Sequence, residues 1–159
     1  MAIEVGKDTY ITAADSDTYV QSYFVSGDAK RAAWEALSET DKEVYLRNAT
    51  ARLELLKFSG RKSSVDQTLQ FPRTNYISRE WVEQDDVPEA IKNAQVEEAL
   101  EMCCPSKDTK VQDFRRRGVR SASLGRLSES FDHRFATNLN SLKAQDLVLP
   151  YLGGGYHVV

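Results

Sequence analysis

Apolar residues recur at spacings of three and four along much of this chain, which predicts a mainly helical fold. Thr12 is placed as an N-cap with Asp15 three residues on, echoing a capping box, after a short extended stretch over Thr9–Thr12. The helix that follows is expected to run to about Val25 and to bury Val20, Tyr23 and Phe24, with Tyr19 sharing that face, before Ser26-Gly27 breaks it. Asp28 can cap a short helix over 29–37 in which Trp34 and Leu37 point the same way. Thr40 followed by Glu43 reads as a capping box, and the next helix to about Phe58 carries Leu46, Ala49, Leu53 and Leu56 on one stripe. Gly60 stands where a left-handed C-cap is expected.

Pro88 suits the first turn of a fourth helix, where its missing N–H costs nothing, and Asp85 and Asp86 just before it suit the helix dipole. Ile91, Ala94, Ala99 and Met102 make one face, and Val96, Leu100 and Cys103 widen it, which implies packing on more than one side until Pro105 ends the helix. A last helix is expected from Thr137 or Asn138, with Leu139, Leu142 and Leu149 on one side and Leu147 and Val148 beside them. Between these helices, residues 61–86 form a long connection whose Leu69, Phe71, Tyr76, Ile77 and Trp81 are too apolar for a free linker. Phe71, Pro72, Arg73 and Trp81 are the expected anchors that wrap it on the bundle, with Phe71-Pro72 extended. Gly118–Phe131 reads as a β-hairpin turning at Gly125, and two strands alone are marginal, so they must lean on the body or on another chain.

The fold class is therefore a small helical bundle of four to five helices with a β-hairpin and an extended C-terminal tail. Residues 1–152 form a single domain, 107–134 a basic loop and hairpin inserted in it, and 153–159 a flexible arm. At 159 residues one core is the natural expectation. No apolar run approaches the roughly 20 residues that span a bilayer, so no membrane partner is expected, and the N-terminus lacks the layout of a signal peptide. Cys103 and Cys104 are adjacent and the only cysteines, which excludes a disulfide framework and fits a reducing compartment.

Charge divides the chain unevenly. Met1–Ser106 holds 12 basic and 19 acidic residues, a net −7, whereas Lys107–Arg134 holds 8 basic and 4 acidic, a net +4. An acidic body with a basic segment calls for a negatively charged partner or an acidic neighbouring subunit. Arg115, Arg116 and Arg117, with Arg120 and Arg126, are the basic concentration and the candidate contact to DNA or to another subunit. Single-strand binding also wants interleaved aromatics, and only Phe114 and Phe131 lie near in sequence.

Other chemistry is poorly represented. His133 and His157 stand alone and the cysteine pair has no second pair, so no metal site and no cofactor is expected. No GxSxG stretch appears, and the acidic pairs Asp85-Asp86 and Glu97-Glu98 read as charge at a helix start and on a helix surface, so no enzyme is expected. Gly153, Gly154 and Gly155 lack the Lys-Ser/Thr of a phosphate loop. With Tyr156, His157, Val158 and Val159 they read instead as a tether with an apolar end able to add as a strand to a partner's sheet.

The opening GKDTYITAADSDTYV, the FSGRK and LQFPRT segments, VPEAIKNAQVEEAL and SLGRLSESF together resemble, in order and spacing, the small head–tail connector (adaptor) proteins of long-tailed bacteriophages. That family is also catalogued as DnaT-like single-stranded-DNA-binding proteins. The connector resemblance implies a structural virion protein at the head–tail interface, made in the host bacterial cytoplasm. It implies a homo-oligomeric ring, typically of twelve subunits, on the portal protein, with genomic DNA passing through its channel and a tail-side connector or tail terminator beyond. By that analogy Gly153–Val159 is a portal-docking arm and Gly118–Phe131 an inter-subunit or channel-side element. The alternative is single-stranded-DNA binding of the DnaT kind.

Overall fold

Side-chain oxygens open four of the five α-helices seen among the described residues. In the computed structural model those residues are 2–77, 80–106, 121–124, 127–130 and 139–153. Thr12 Oγ1 accepts the Asp15 N–H at 3.0 Å and donates to the Asp15 carboxylate at 2.7 Å, starting α1, Ala13–Tyr23. Asp28 Oδ1 accepts the N–H groups of Lys30 and Arg31 and starts α2, Ala29–Glu35. Helix α3, Glu39–Glu54, opens at Ser38 rather than at Thr40. Ser38 Oγ accepts the Asp41 N–H and donates to its carboxylate. Both positions offer a capping box; the earlier start also sets Glu39 and Asp41 in the first turn, where negative charge meets the helix dipole.

Helix α4, Glu89–Cys103, has Pro88 at its N-cap and no side-chain cap, while Asp86 just before it accepts the Val87 N–H at 2.7 Å. Helix α5, Leu142–Val148, is capped by Ser141, whose Oγ accepts the Ala144 N–H, and runs on into a 3₁₀ turn, Leu149–Tyr151.

The connection expected over 61–86 is partly a sheet. Strands β1 (Arg61–Lys62), β2 (Arg73–Ile77) and β3 (Glu80–Val82) pair antiparallel in the order β1-β2-β3, with Lys62 opposite Arg73 and Tyr76 opposite Trp81. Strands β4 (Ser121–Leu124) and β5 (Leu127–Ser130) make the expected hairpin, closing at Leu124 opposite Leu127. The chain is thus mainly α, with a small antiparallel hairpin, as its sequence pattern predicts.

Several local expectations change. Helix α1 stops at Tyr23, short of Val25, and Tyr19 rather than Tyr23 is buried: the Tyr19 ring takes the inner position and Tyr23 stacks outside it. Helix α3 ends at Glu54 with Leu55 as its cap, so Gly60, at φ +74°, serves the turn into β1 and not a helix C-cap. The Phe71-Pro72 bond is cis. Thr137 and Asn138 lie outside the described residues; the helix placed there begins at Leu142, leaving Leu139 buried ahead of it and Leu142 largely exposed.

The core has two parts that share α4. Ile91 and Ala94 face a cluster with Tyr10, Leu53, Phe58, Phe71 and Val148, while Val96, Ala99 and Leu100 face another with Tyr19, Val20, Trp34 and Leu46. A helix buried on every side for most of its length is the axis of the domain. Ser38→Ala should cost about 1 kcal/mol of stability through the lost cap. Thr40→Ala should stay within roughly 0.5 kcal/mol. Urea unfolding of the two variants checks the assignment.

Candidate functional site

The row of polar side chains on α4 is the first departure from ordinary helix packing. Gln95, Glu97, Glu98 and Glu101 are all buried, although the Glu97-Glu98 pair reads from sequence as helix surface. A buried carboxylate is tolerated only when paired and hydrogen-bonded, and each of these is. Glu98, sealed from solvent, accepts the Asn140 N–H at 2.8 Å, the Ser141 N–H at 2.9 Å and an Arg52 guanidinium N–H at 3.0 Å. Burial pushes its carboxyl above the ordinary value, against the pull of the Ser141 and Asn140 amides and Arg52. Glu97 accepts the Tyr19 hydroxyl at 2.6 Å and pairs with Lys143 at 2.6 Å. Glu101 pairs with Lys30 at 2.5 Å and accepts the Ser106 N–H at 2.7 Å. Gln95 accepts the Tyr10 N–H and donates to the Leu46 carbonyl, tying the N-terminal stretch to α3.

Two of these bonds have a topological consequence. Ser106 is the last described residue before the basic segment, and Asn140-Ser141 follow closely on its return. Glu101 and Glu98, one turn apart on α4, therefore fasten the chain on both sides of residues 107–138. The insertion that carries the β4–β5 hairpin is held at its base by buried charge.

A second anchor gathers around Phe71 and Arg73. Phe71 is buried, with the rings of Tyr10, Phe58 and Tyr151 edge-on at 6.2, 4.8 and 5.8 Å. Arg73 is buried too; it donates to the carbonyls of Ser59 (2.9 Å), Gly60 (3.0 Å), Phe58 (3.3 Å) and Gln70 (3.3 Å) and lies 5.9 Å from the Phe71 ring centre. Pro72 offers its carbonyl to the Ser63 N–H and the Gln67 side chain. Glu54 accepts the Tyr10 hydroxyl and the Gln70 N–H, and burial raises its carboxyl. The same patch takes the C-terminal strand: Phe58 bridges Leu152, and Gly153 N–H donates to the Lys57 carbonyl at 2.8 Å. A Cβ on Gly153 would stand 3.3 Å from the Ser59 Cα, so the first glycine of the expected arm is packed on the body. The Trp81 side chain, Gly154, Gly155, Tyr156, His157, Val158 and Val159 lie outside the described residues, as do Arg115, Arg116, Arg117, Arg120, Arg126 and His133.

One cluster is invisible to the sequence pattern. Tyr19 and Tyr23 stack at 4.5 Å, and the Lys143 ammonium lies 5.6, 5.5 and 5.4 Å from the ring centres of Tyr19, Tyr23 and Phe24. The i,i+4 spacing of the two tyrosines is the only trace of it in the sequence, because Lys143 arrives from α5. Among the described residues no group of three His, Cys, Asp or Glu side chains is arranged to hold a metal ion, and no helix is long and apolar enough to cross a membrane. Cys103 and Cys104 are free thiols, and burial pushes the Cys103 thiol up to about 11.

The model of the family described as "Putative DnaT-like ssDNA binding protein" matches residues 2–159. No curated protein and no solved structure matches the chain.

Removing the Glu98 carboxylate leaves two buried amides without their acceptor and the part-exposed Arg52 without its partner. Glu98→Ala should therefore cost about 3 kcal/mol or more, seen in urea unfolding, with the Asn140 and Ser141 amides losing hydrogen-exchange protection first. Glu98→Gln, which keeps an acceptor, should cost less. Because thiolate is the reactive form, alkylation of Cys103 by iodoacetamide should be slow near pH 7 and climb steeply towards its pKa, read by site-resolved mass spectrometry.

Proposed function

This chain belongs to the DnaT-like ssDNA-binding family, and from that premise we propose that it is a non-catalytic DNA-contacting protein whose acidic helical body presents a basic insertion to the strand. The observation that carries this reading is the separation of charge. The stretch Met1–Ser106 is net −7, and Lys30, Arg52 and Arg73 within it, with Lys143 of α5, are engaged by carboxylates and carbonyls of the body itself. A polyanion gains little from such a surface. Residues 107–134, at net +4, are the part suited to phosphates, with Arg115, Arg116, Arg117, Arg120 and Arg126 as the contacts. Their electrostatic contact needs no catalytic group and no cofactor.

A second reading, the head–tail connector, is favoured by one observation. Strands β4 and β5 form a sheet of two, and two strands are marginal without a neighbour. In a ring of copies on a portal protein the hairpins would supply each other's neighbours, the basic insertion would face DNA in the channel, and residues 154–159 would dock on the portal from the fixed point at Gly153.

Fluorescence anisotropy with labelled oligo(dT) across a salt series separates the two. Binding that weakens steeply with salt supports the first reading; Arg115→Ala/Arg116→Ala/Arg117→Ala should then lower affinity and flatten the salt slope by about 2, at roughly 0.7 per phosphate contact on a single strand. No binding of oligo(dT) at low salt, with retention on purified portal rings, selects the connector. In that case deletion of residues 154–159 should leave thermal unfolding unchanged and abolish retention on the rings; undiminished retention would sink the arm.

A further inference from the structure

We propose that Tyr23 is a base-stacking position for single-stranded nucleic acid, at the edge of the groove between α1 and the start of α4. The inference rests on the DNA-contacting reading above and adds to it a site on the body, distinct from the arginines of the insertion. Tyr23 is 64% exposed although it is stacked on the buried Tyr19 ring. Tyr19 in turn is fixed by its hydroxyl bond to Glu97. An exposed aromatic is seldom held rigid, and a rigid one offers a base a stacking face with little ordering cost left to meet.

The surroundings suit a nucleotide. A groove of about 490 Å³ runs beside the ring, lined among others by Thr18, Ser22, Tyr19, Lys92 and Asn93. These supply hydroxyl and amide groups for base edges. Asp15 and Glu89 line it as well, so it favours the uncharged face of a base over a phosphate. Lys92, paired with Asp86, lines the groove, and Lys143, paired with Glu97 and half exposed, lies beside the stack. On the Lys143 side a second hollow of about 280 Å³ is lined by Phe24, Lys143, Ser106 and Ser141 together with Glu97 and Glu101, whose charges are paired with Lys143 and Lys30; Ser106 and Ser141 stand where the chain leaves for the basic insertion and returns from it.

The test compares oligo(dT) with an abasic strand of equal length, using the full-length chain and anisotropy at low salt. The wild type should hold oligo(dT) more tightly than the abasic strand. Tyr23→Ala should reduce oligo(dT) affinity roughly fivefold or more, the loss of about one stacked base, and leave abasic affinity unchanged, while Tyr23→Phe keeps the preference. Tyr23→Ala should fold as the wild type does and melt only slightly below it, because its side chain is largely exposed and gives up little beyond the Tyr19 stack; Lys143→Ala is a poorer probe, since it leaves Glu97 buried without its cation. If Tyr23→Ala retains the full preference for bases, the stacking site is overturned and the DNA-contacting reading stands. If the wild type binds neither strand, both fall together.

Discussion

The Glu98 carboxylate constrains this structure more than any other group. It lies in the middle of the most buried helix, and it is tolerable there only because three donors, two backbone N–H groups and a guanidinium, converge on it. Two of those donors belong to Asn140 and Ser141, at the mouth of α5. The C-terminal helix is thus placed by a charge that must be satisfied as much as by the apolar contacts of Ala144 and Val148. Glu97 and Glu101 repeat the logic one step to either side, drawing in Lys143 and Lys30. Net stabilisation from such pairs is small, but leaving any partner out is costly, which makes them better at selecting one arrangement than at strengthening it.

That use of charge bears on function. Lys30, Arg52 and Lys143 are turned to the carboxylates of α4, and Arg73 to the carbonyls of residues 58–60 and 70. In the function proposed above, an external polyanion is met by the insertion, whose two ends are tied to α4. The domain reads as a stand for a basic hairpin, with an aromatic pair beside its foot. Both proposed readings, a strand met free in solution or inside a channel built from many copies, rest on this same division of charge within one copy.

Parts of this were open to inspection in the sequence. Thr12 and Asp28 cap their helices because capping is local chemistry, decided within three residues. The stripe of Leu46, Ala49, Leu53 and Leu56 is buried as spaced, and Ser121–Leu124 pairs with Leu127–Ser130 in the region expected for a hairpin. Ser38 and Thr40 offered the same motif two residues apart, and local rules could not rank them. The strands β1–β3 were missed because their residues alternate too little to announce a sheet. Tyr23 was assigned inward since its position in the helix repeat matches Val20 and Tyr19; a single ring, Tyr19, had already filled that place.

The amino-acid sequence by itself determined the number and order of the main helices, the hairpin, and the split between an acidic body and a basic insertion, all of which depend on neighbours within a few residues or on simple sums of charge. Only the tertiary structure decided that Glu97, Glu98 and Glu101 are interior, that Gly153 is packed against Ser59, and that Lys143 joins Tyr19 and Tyr23. The reason is physical: a glutamate is costly to bury unless donors wait for it, and here the donors, Ser106 apart, come from residues more than forty positions away along the chain, brought together only when α4 is enclosed.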